Sequence, residues 1–405
     1  MKTDKTLRSV PFAASKVLVS GATGYLGALI VASLLRGTNA RIVCLTRAVH
    51  DRQALLAPIA REWEAQSKGC WSDAVGERIE QIALPDDLSD VVDLAPALQG
   101  IDEIVHCAGC VDYHDTRKLQ AVNVHYTAYM VVLARRLRLK RFVFVSTAYS
   151  SGYQPHRTPE GPLAEPGSDP TQYTRTKREA ERLVARSGIP FVVIRPSIVI
   201  GTSDTGRYSG RGYGLYQQWM DLERLACDGY HEEFHTVAPG MPLNVLHQDA
   251  FCDAFKAAYR WLPDGAFMNL VSQPECSPSM RHLWDMWFEV TRPARIYYYA
   301  SLDDVPMKQI HTRQRAYLTF AQVNLEIASH HWQFEATWLE LLRAKGLRFA
   351  DATVETVRMC QDRFVRSSDQ MRKYLLNHGD RLAGRPRFIE VEPARSRVRR
   401  STATS

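Results

Sequence analysis

The sequence predicts an α/β fold in which helices cover both faces of a doubly wound, parallel sheet. Two patterns indicate it. Short β-branched runs alternate with helical segments over residues 16–195, and the runs are almost continuously apolar, as strands buried on both faces are. A glycine-rich turn after the first run is a third sign. We therefore expect a Rossmann-type sheet with a smaller substrate-binding part and a mainly helical C-terminal region.

Predicted strands and helices alternate along the first half of the chain. The strands are KVLVS (16–20), ARIVCL (40–45), RIEQIAL (78–84), EIVHCA (103–108), RFVFVS (141–146) and FVVIR (191–195). The helices are 25–36, 51–66, 115–137 and 170–187, with a shorter one within 85–99. The strand LNVLH (243–247), a helix (248–262) and the strand FMNLV (267–271) are expected to extend the sheet. Apolar residues at steps of three and four predict helices from about residue 278.

These patterns divide the chain into three parts. Residues 14–275 form the predicted Rossmann domain, with a Gly- and Tyr-rich loop at 202–219 inserted for substrate binding. Residues 276–380 form a mainly helical substrate or lid region. Residues 381–405 are a basic tail that we expect to be poorly ordered, and its seven arginines and two glutamates supply five of the seven net positive charges.

Composition excludes several classes of protein. Without the tail the body is nearly neutral, which argues against nucleic-acid binding. The eight cysteines are spread along the chain, as in reduced cytosolic proteins, and the one close pair, Cys107 and Cys110, lacks a second pair to complete a zinc site. The apolar run Tyr25–Leu35 is too short to span a bilayer, and no signal peptide is evident. We expect a cytoplasmic protein with no metal site and no membrane span.

The stretch VLVSGATGYLG predicts a dinucleotide site. Gly21, Gly24 and Gly27 follow the first strand and open the first helix. In this context the first glycine permits a tight turn, the second lets the backbone approach a diphosphate, and the third lets the helix pack closely on the sheet. The diphosphate would lie at the N-terminus of the helix.

The end of the second strand indicates which dinucleotide binds. NAD enzymes place an acid about 20 residues after the glycines to bind the ribose hydroxyls. Here Arg47 lies 20 residues past Gly27, and a guanidinium can bind a 2′-phosphate. We therefore expect NADP(H). Asp87 and Leu88 follow the third strand, where the adenine would lie, and Cys107, Ala108 and Gly109 follow the fourth strand and leave room for the cofactor.

A candidate catalytic group follows the fifth strand. Ser146 and Thr147 end that strand, and Tyr173 and Lys177 stand one turn apart on the helix predicted at 170–187. Thr147 would hold a carbonyl oxygen while Tyr173 donates a proton to it. Because a free phenol has a pKa of about 10, we expect Lys177, together with the oxidised nicotinamide, to lower it.

These motifs resemble one branch of the extended short-chain dehydrogenases, the thioester reductase domains and fatty acyl-CoA reductases of the male sterility type. The matching stretches, in order, are VLVSGATGYLG, RIVCLTRA, DDLSD, VHCAGCVDY, NVHYT, VSTAYSSG, YTRTKREAE and IRPSIVIGTSDTG, over about residues 16–270. The most discriminating are CLTRA, STAY and RPSIVIGTSDTG.

The resemblance implies NADPH-dependent reduction of an acyl thioester, on coenzyme A or a carrier protein, to an aldehyde or an alcohol. It implies Thr147, Tyr173 and Lys177 as the catalytic set. It adds further cofactor contacts to those given above, namely Thr23, Tyr25, Leu26, Ser146, Pro196 and Ser197.

Other readings remain open at this point. The 405 residues contain no adenylation or carrier domain, so we expect a thioester delivered by another protein or free acyl-CoA. The basic tail suits docking of an acidic carrier protein. An enzyme of the same superfamily could instead act on a ketone, a hydroxyl compound of steroid or flavonoid type, or a sugar nucleotide. A regulator that binds NADP(H) without turnover is disfavoured, since such proteins tend to lack the Tyr/Lys pair.

Overall fold

The computed structural model describes residues 5–47, 51–67, 69–113, 115–226, 231–383 and 389–391. Its strands are β1 (Lys16–Ser20), β2 (Arg41–Thr46), β3 (Ile79–Ala83), β4 (Glu103–His106), β5 (Arg141–Val145), β6 (Phe191–Pro196), β7 (Ile198–Ile200), β8 (Glu233–Val237), β9 (Val245–His247), β10 (Ala266–Leu270), β11 (Arg295–Tyr299) and β12 (Ile389–Val391).

Helices connect most of these strands. They are α1 (Tyr25–Gly37), α2 (Arg52–Ser67), α3 (Asp73–Gly76), α4 (Thr116–Leu119), α5 (Tyr126–Arg136), α6 (Gln172–Ala185), α7 (Leu215–Ala226), α8 (Gln248–Trp261), α9 (Met280–Thr291), α10 (Thr312–Ser329), α11 (Thr337–Ala344), α12 (Val354–Ser367) and α13 (Asp369–Ala383). Short 3₁₀ segments occur at Leu88–Leu94, Ala148–Ser151 and Leu302–Asp304, and a π-helical segment, Gln120–His125, joins α4 to α5.

Seven parallel strands form the central sheet in the order β10-β6-β5-β4-β1-β2-β3. Strand β1 lies between β2 and β4, so the strand order reverses there. In sheets of this kind ligands bind at the carboxyl ends of the strands beside the point of reversal. The predicted doubly wound, parallel α/β sheet is confirmed.

The sheet is covered on both faces, which explains why its strands are apolar along their whole length. Val17 and Val19 of β1 belong to the cluster packed under α1 and α8, whereas Leu18 belongs to the cluster under α5 and α6. All three side chains are fully buried. Polar groups are therefore confined to the ends of the strands, where the loops begin.

One predicted strand lies outside the central sheet. The stretch 243–247 was expected to extend that sheet, but β9 pairs with β7 in a separate two-stranded parallel sheet. The expectation for 267–271 is confirmed, since β10 pairs with β6 at the edge of the sheet. Apolar periodicity identifies a strand but not its partner, and this is why the first expectation was wrong.

The chain forms two compact units whose segments interleave along the sequence. The first unit comprises Met1–Arg211, Asn244–Ser277 and Trp332–Thr356, and contains the central sheet. The second comprises Gly212–Leu243, Pro278–His331 and Val357–Ser405. The division predicted at 14–275, 276–380 and 381–405 stays a prediction, and most of 381–405 lies outside the described residues.

The second unit combines helices with a three-stranded parallel sheet in the order β12-β11-β8. Strand β11 arises in a region that we expected to be mainly helical. Its sequence, RIYYY, is rich in the aromatic residues that favour strands. Within the described ranges of the chain, no helix is both long enough and apolar enough to cross a membrane.

Candidate active site

The glycine turn joins β1 to α1 and can accept an anion. Gly21 has a φ of 79°, and a Cβ on Gly27 would lie 2.0 Å from the Gly21 carbonyl oxygen, so neither position accepts a side chain. Helix α1 has no side-chain cap at Gly24 and no acidic residue in its first turn. Its first N–H groups and its dipole are therefore not offset by a side-chain cap or an acidic residue and can bind an anion.

Asn123, in the π-helical segment, fixes the loop that follows β4. Its Oδ1 accepts a hydrogen bond from the Cys110 N–H at 2.8 Å, and its Nδ2 donates to the Cys110 carbonyl at 3.1 Å. The same Nδ2 donates to Thr176 Oγ1 at 3.0 Å. One amide thus ties the loop to α6 directly beside Lys177.

A neutral histidine lies beneath this loop. His106 is fully buried, with Nδ1 2.6 Å from Ser20 Oγ and Nε2 3.0 Å from Thr127 Oγ1. Burial, with help from the Lys177 ammonium, lowers the pKa of His106 to about 3. The imidazole is therefore uncharged at neutral pH, and its hydrogen bond to Ser20 links β4 to β1.

Lys177 is buried where α6 meets the ends of β4 and β5. Its Nζ donates to the Val145 carbonyl at 2.7 Å and lies 4.3 Å from the centroid of the Phe144 ring. Burial lowers the pKa of Lys177 to about 8, while Cys107 and Glu181 act in the opposite direction. A Cβ on Gly109 would come within 4.0 Å of Nζ, so the glycine leaves space beside the ammonium.

Tyr173 is half-buried one turn earlier on α6, with its ring edge-to-face against Tyr113 at a centroid distance of 5.9 Å. Burial raises the pKa of Tyr173, and the nearby Tyr113 and Cys107 add to the effect. This direction is opposite to the lowering expected from Lys177, whose ammonium donates to a backbone carbonyl here. A phenol with a raised pKa is protonated at neutral pH and can donate a proton.

Thr147 begins the short 3₁₀ segment after β5. Its Oγ1 accepts from the Tyr149 N–H at 3.4 Å, and its carbonyl accepts from the N–H and hydroxyl of Ser150 at 3.1 and 2.8 Å. The neighbouring Ser146 hydroxyl donates to the buried Glu181 carboxylate. Ser146, predicted to contact the cofactor, thus directs its side chain into the protein.

Pro196 and Ser197 lie at the end of β6, on the same edge of the sheet. Ser197 is 6% exposed and its N–H donates to the Leu270 carbonyl at 3.0 Å. Its hydroxyl is buried and has no hydrogen-bond partner among the described residues. An unpaired buried hydroxyl is costly unless a ligand satisfies it, so this position is suited to a polar group of a bound molecule.

The residues predicted at the adenosine end are exposed. Arg47 ends β2 and makes no ion pair or hydrogen bond within the described part of the chain. Asp87 accepts hydrogen bonds from the N–H and hydroxyl of Ser89, both at 2.8 Å, and these bonds lower its pKa. Leu88 packs partly against the core, and Thr23 is exposed in the glycine turn.

Tyr25 and Leu26, in the first turn of α1, face the protein. Leu26 packs against the core, and the Tyr25 hydroxyl donates to Gln248 Oε1 at 3.1 Å. The Tyr25 ring also packs edge-to-face against Tyr208 at 5.0 Å. Residues 202–211, part of the loop predicted to bind substrate, are thus held beside the glycine turn.

Together these residues fit a nicotinamide dinucleotide. The uncapped helix N-terminus suits a diphosphate, and the glycines after β1 and β4 leave space along the edge. In the part of the chain that the structure describes, the Ser197 hydroxyl has no hydrogen-bond partner. Sequence reasoning missed Asn123, Glu181 and Arg195, which hold this edge in place. Glu181 lies one turn past Lys177 on α6, and that spacing was the available signal.

Comparison with known proteins agrees with this architecture. The terminal R domain of the myxalamid PKS–NRPS biosynthetic pathway has a TM-score of 0.69 at 22% identity, covering 88% of this chain and 91% of that domain. A thiolation–reductase di-domain from an archaeal non-ribosomal peptide synthetase has a TM-score of 0.61 at 16% identity, covering 94% and 93%. At such identities the likeness establishes the fold alone.

Sequence relatives match part of the chain. Glycine betaine reductase ATRR from Emericella nidulans is 32% identical over 215 residues, which are 48% of this chain and 16% of that protein. The match therefore spans less than a fifth of the relative's length. The family model described as male sterility protein matches residues 19–249, more than half of the chain. The chain therefore belongs to the NAD-binding male sterility protein family.

Proposed function

We propose that this protein uses NADP(H) to reduce an acyl thioester, held on coenzyme A or on a carrier protein, to an aldehyde or an alcohol. One observation carries the proposal. Tyr173 and Lys177 occupy one face of α6 beside the ends of β4 and β5, at the same edge of the sheet as the glycine turn. That edge is where a proton donor must meet a bound nicotinamide.

The roles of the side chains follow from their surroundings. When bound, the reduced nicotinamide supplies a hydride to the thioester carbonyl carbon, and loss of the thiol from the resulting hemithioacetal yields the aldehyde. Tyr173, whose pKa is raised, donates a proton to the carbonyl oxygen, and Thr147 holds that oxygen by a hydrogen bond. Lys177, with a pKa near 8, is charged at neutral pH and places a positive charge one turn along α6 from Tyr173.

The inference of a thioester substrate depends on the names of the similar proteins. Of the two structural neighbours named above, one is a terminal R domain of a PKS–NRPS pathway and the other joins a reductase to a thiolation domain. Glycine betaine reductase is likewise named for a reduction of a carboxyl compound. These names support a carrier-bound or CoA-bound acyl group as the substrate and an acyl carrier protein as a partner.

The test is turnover with defined substrates. Purified protein is mixed with NADPH and acyl groups on either coenzyme A or a carrier protein, and NADPH absorbance and aldehyde formation are followed. We expect NADPH oxidation with matching aldehyde. Turnover of ketones or sugar nucleotides, with none of thioesters, would overturn the proposal.

A tyrosine variant tests the mechanism. Tyr173→Phe removes the proton donor and should lower kcat by about 10²–10⁴-fold while NADPH affinity stays nearly unchanged. Tyr129→Phe, a half-buried tyrosine of α5, is the matched control and should behave as wild type. Loss of cofactor binding together with activity in Tyr173→Phe would indicate a structural role.

The preference for NADP(H) rests on Arg47. Its guanidinium is exposed and without a partner in the described residues, so it is free to bind a 2′-phosphate. Arg47→Ala should weaken NADPH binding by about tenfold or more, in line with a lost charge-assisted hydrogen bond, and leave NADH binding unchanged. Arg41→Ala, an exposed arginine at the other end of β2, is the control. Equal affinity of Arg47→Ala and wild type for NADPH would contradict the assignment.

A further inference from the structure

Two apolar side chains are exposed in the loop after β4, and one of them, Tyr113, contacts the candidate proton donor Tyr173. Val111 is 41% exposed and Tyr113 is 39% exposed, both in the loop after β4. Large apolar side chains left in water singly are unremarkable, but two in one loop at the carboxyl edge lie where ligands of such sheets bind. Neither side chain takes part in the cofactor binding or the proton donation described above.

Hydrogen bonds hold the loop after β4 in a fixed position, so the exposure of Val111 and Tyr113 is a property of the fold. The side-chain amide of Asn123 binds both the N–H and the carbonyl of Cys110, at 2.8 and 3.1 Å. Cys110 itself is buried, and it directly precedes Val111. The loop is thus anchored to α6 and the π-helical segment, while the next residues turn their apolar side chains outward.

Tyr113 also contacts the group that must touch the substrate. Its ring lies 5.9 Å from that of Tyr173 at an interplanar angle of 64°, an edge-to-face contact of ordinary geometry. A carbonyl oxygen that accepts from the Tyr173 hydroxyl lies about 2.7 Å away from it. A carbon chain attached to that carbonyl can therefore reach the Tyr113 ring.

We propose that Val111 and Tyr113 form an acyl platform, the surface that binds the apolar acyl chain of the thioester and selects its length. The proposal rests on the proposed function for the identity of the substrate. A bound chain would cover both side chains, and each methylene so buried contributes about 0.8 kcal/mol, a factor of roughly four in affinity. The aromatic ring is the larger part of the platform and should contribute most.

Binding of non-reducible analogues tests the platform without depending on turnover. S-alkyl pantetheine thioethers of increasing chain length share the thiol portion of coenzyme A and of carrier proteins. Their affinity for the protein with NADP⁺ is measured by calorimetry. In the wild type we expect affinity to rise roughly fourfold with each methylene. In Tyr113→Ala this rise should be largely lost, and Val111→Ala should reduce it less.

Controls separate packing from other roles. Tyr113→Phe keeps the ring and should retain the chain-length dependence, whereas Val132→Ala, which alters an equally exposed valine on α5, should have no effect. NADPH affinity should be unchanged in all variants.

A chain-length dependence identical in wild type and Tyr113→Ala overturns the platform, and so does loss of the dependence in Tyr113→Phe, which would assign the role to the hydroxyl. If wild type binds the analogues with the expected dependence but reduces no thioester, the proposed function fails and the platform stands.

Discussion

Two buried arginine–carboxylate pairs, one at each edge of the central sheet, differ in how fully their polar atoms are bonded. At the amino edge, Arg141 Nε donates to Glu103 at 2.6 Å, but neither terminal nitrogen of Arg141 has a partner among the described residues. The guanidinium lies instead between the rings of Phe12 and Tyr259, at 3.5 and 4.7 Å. This pair is held mainly by packing.

At the carboxyl edge, all three guanidinium nitrogens of Arg195 donate hydrogen bonds. Arg195 binds both oxygens of Glu181 and the carbonyls of Pro159 and Gly161, at 2.8–3.1 Å. Glu181 also accepts from the hydroxyls of Ser146 and Ser150, which flank the candidate catalytic Thr147. The connected network therefore lies at the carboxyl edge, where side chains must be positioned for chemistry. The isolated pair lies at the amino edge, where no candidate catalytic side chain has to be positioned.

The largest effect should come from breaking the connected pair. Arg195→Met leaves the Glu181 carboxylate buried without its cation, and it also frees two backbone carbonyls. We expect a loss of about 3–5 kcal/mol in the free energy of unfolding, measured by urea denaturation. Because Ser146 and Ser150 share Glu181, kcat should fall as well.

Arg141→Met is the matched control at the other edge. Burial already raises the pKa of Glu103, so this carboxyl can take up a proton when its cation is removed. The loss of stability should therefore be smaller than in Arg195→Met, and kcat should be unchanged. Equal losses of stability and activity in the two variants would contradict the distinction between the pairs.

A pH-dependent effect of intermediate size should come from Glu160, which extends the connected network. Asn269 accepts from Arg195 at 3.4 Å through its side chain, and its N–H donates to Glu160 at 3.2 Å. Burial raises the pKa of Glu160 to about 7, against the opposing effect of Lys5. The folded state thus holds a proton that the unfolded state releases above its pKa of about 4.3.

The direction in which stability changes with pH follows from this difference between the folded and unfolded pKa of Glu160. Stability should fall as pH rises from about 4.3 to 7, by roughly 4 kcal/mol at most, because the folded protein binds the proton more tightly in that window. Glu160→Gln should remove this part of the pH dependence, measured as the urea midpoint at several pH values. A wild-type protein and a Glu160→Gln variant with parallel pH profiles would contradict the assignment.

Local patterns predicted the strands of the central sheet, but pairings distant in sequence were not predictable, and the roles of the site residues stay predictions. Glycines after β1 and the four-residue spacing of Tyr173 and Lys177 follow rules that operate within a few residues. The Glu181–Arg195 pair and the pairing of β9 with β7 depend on which segments meet in space, and periodicity carries no such information. The raised pKa of Tyr173 was missed for the same reason, since it depends on burial and on Tyr113.

The smallest effect, and the sharpest test of the comparison, should come from replacing the pair at the amino edge by apolar residues. The double variant Arg141→Met with Glu103→Leu removes both charges from a site where aromatic rings already enclose the arginine. Buried pairs replaced in this way are often neutral or stabilising, so we expect unfolding within about 1 kcal/mol of wild type, or greater stability, with full activity.

The corresponding double variant at the other edge, Arg195→Met with Glu181→Leu, should not recover in this way. It leaves the buried Ser146 hydroxyl without its partner, and it removes one partner each from the Ser150 hydroxyl and from the carbonyls of Pro159 and Gly161. A buried group left unpaired costs about 1–3 kcal/mol. Urea unfolding and kcat of the two double variants, measured side by side, give the comparison directly. If both recover wild-type stability and activity, the network at the carboxyl edge is packing alone, and Thr147 is positioned by the 3₁₀ segment without it.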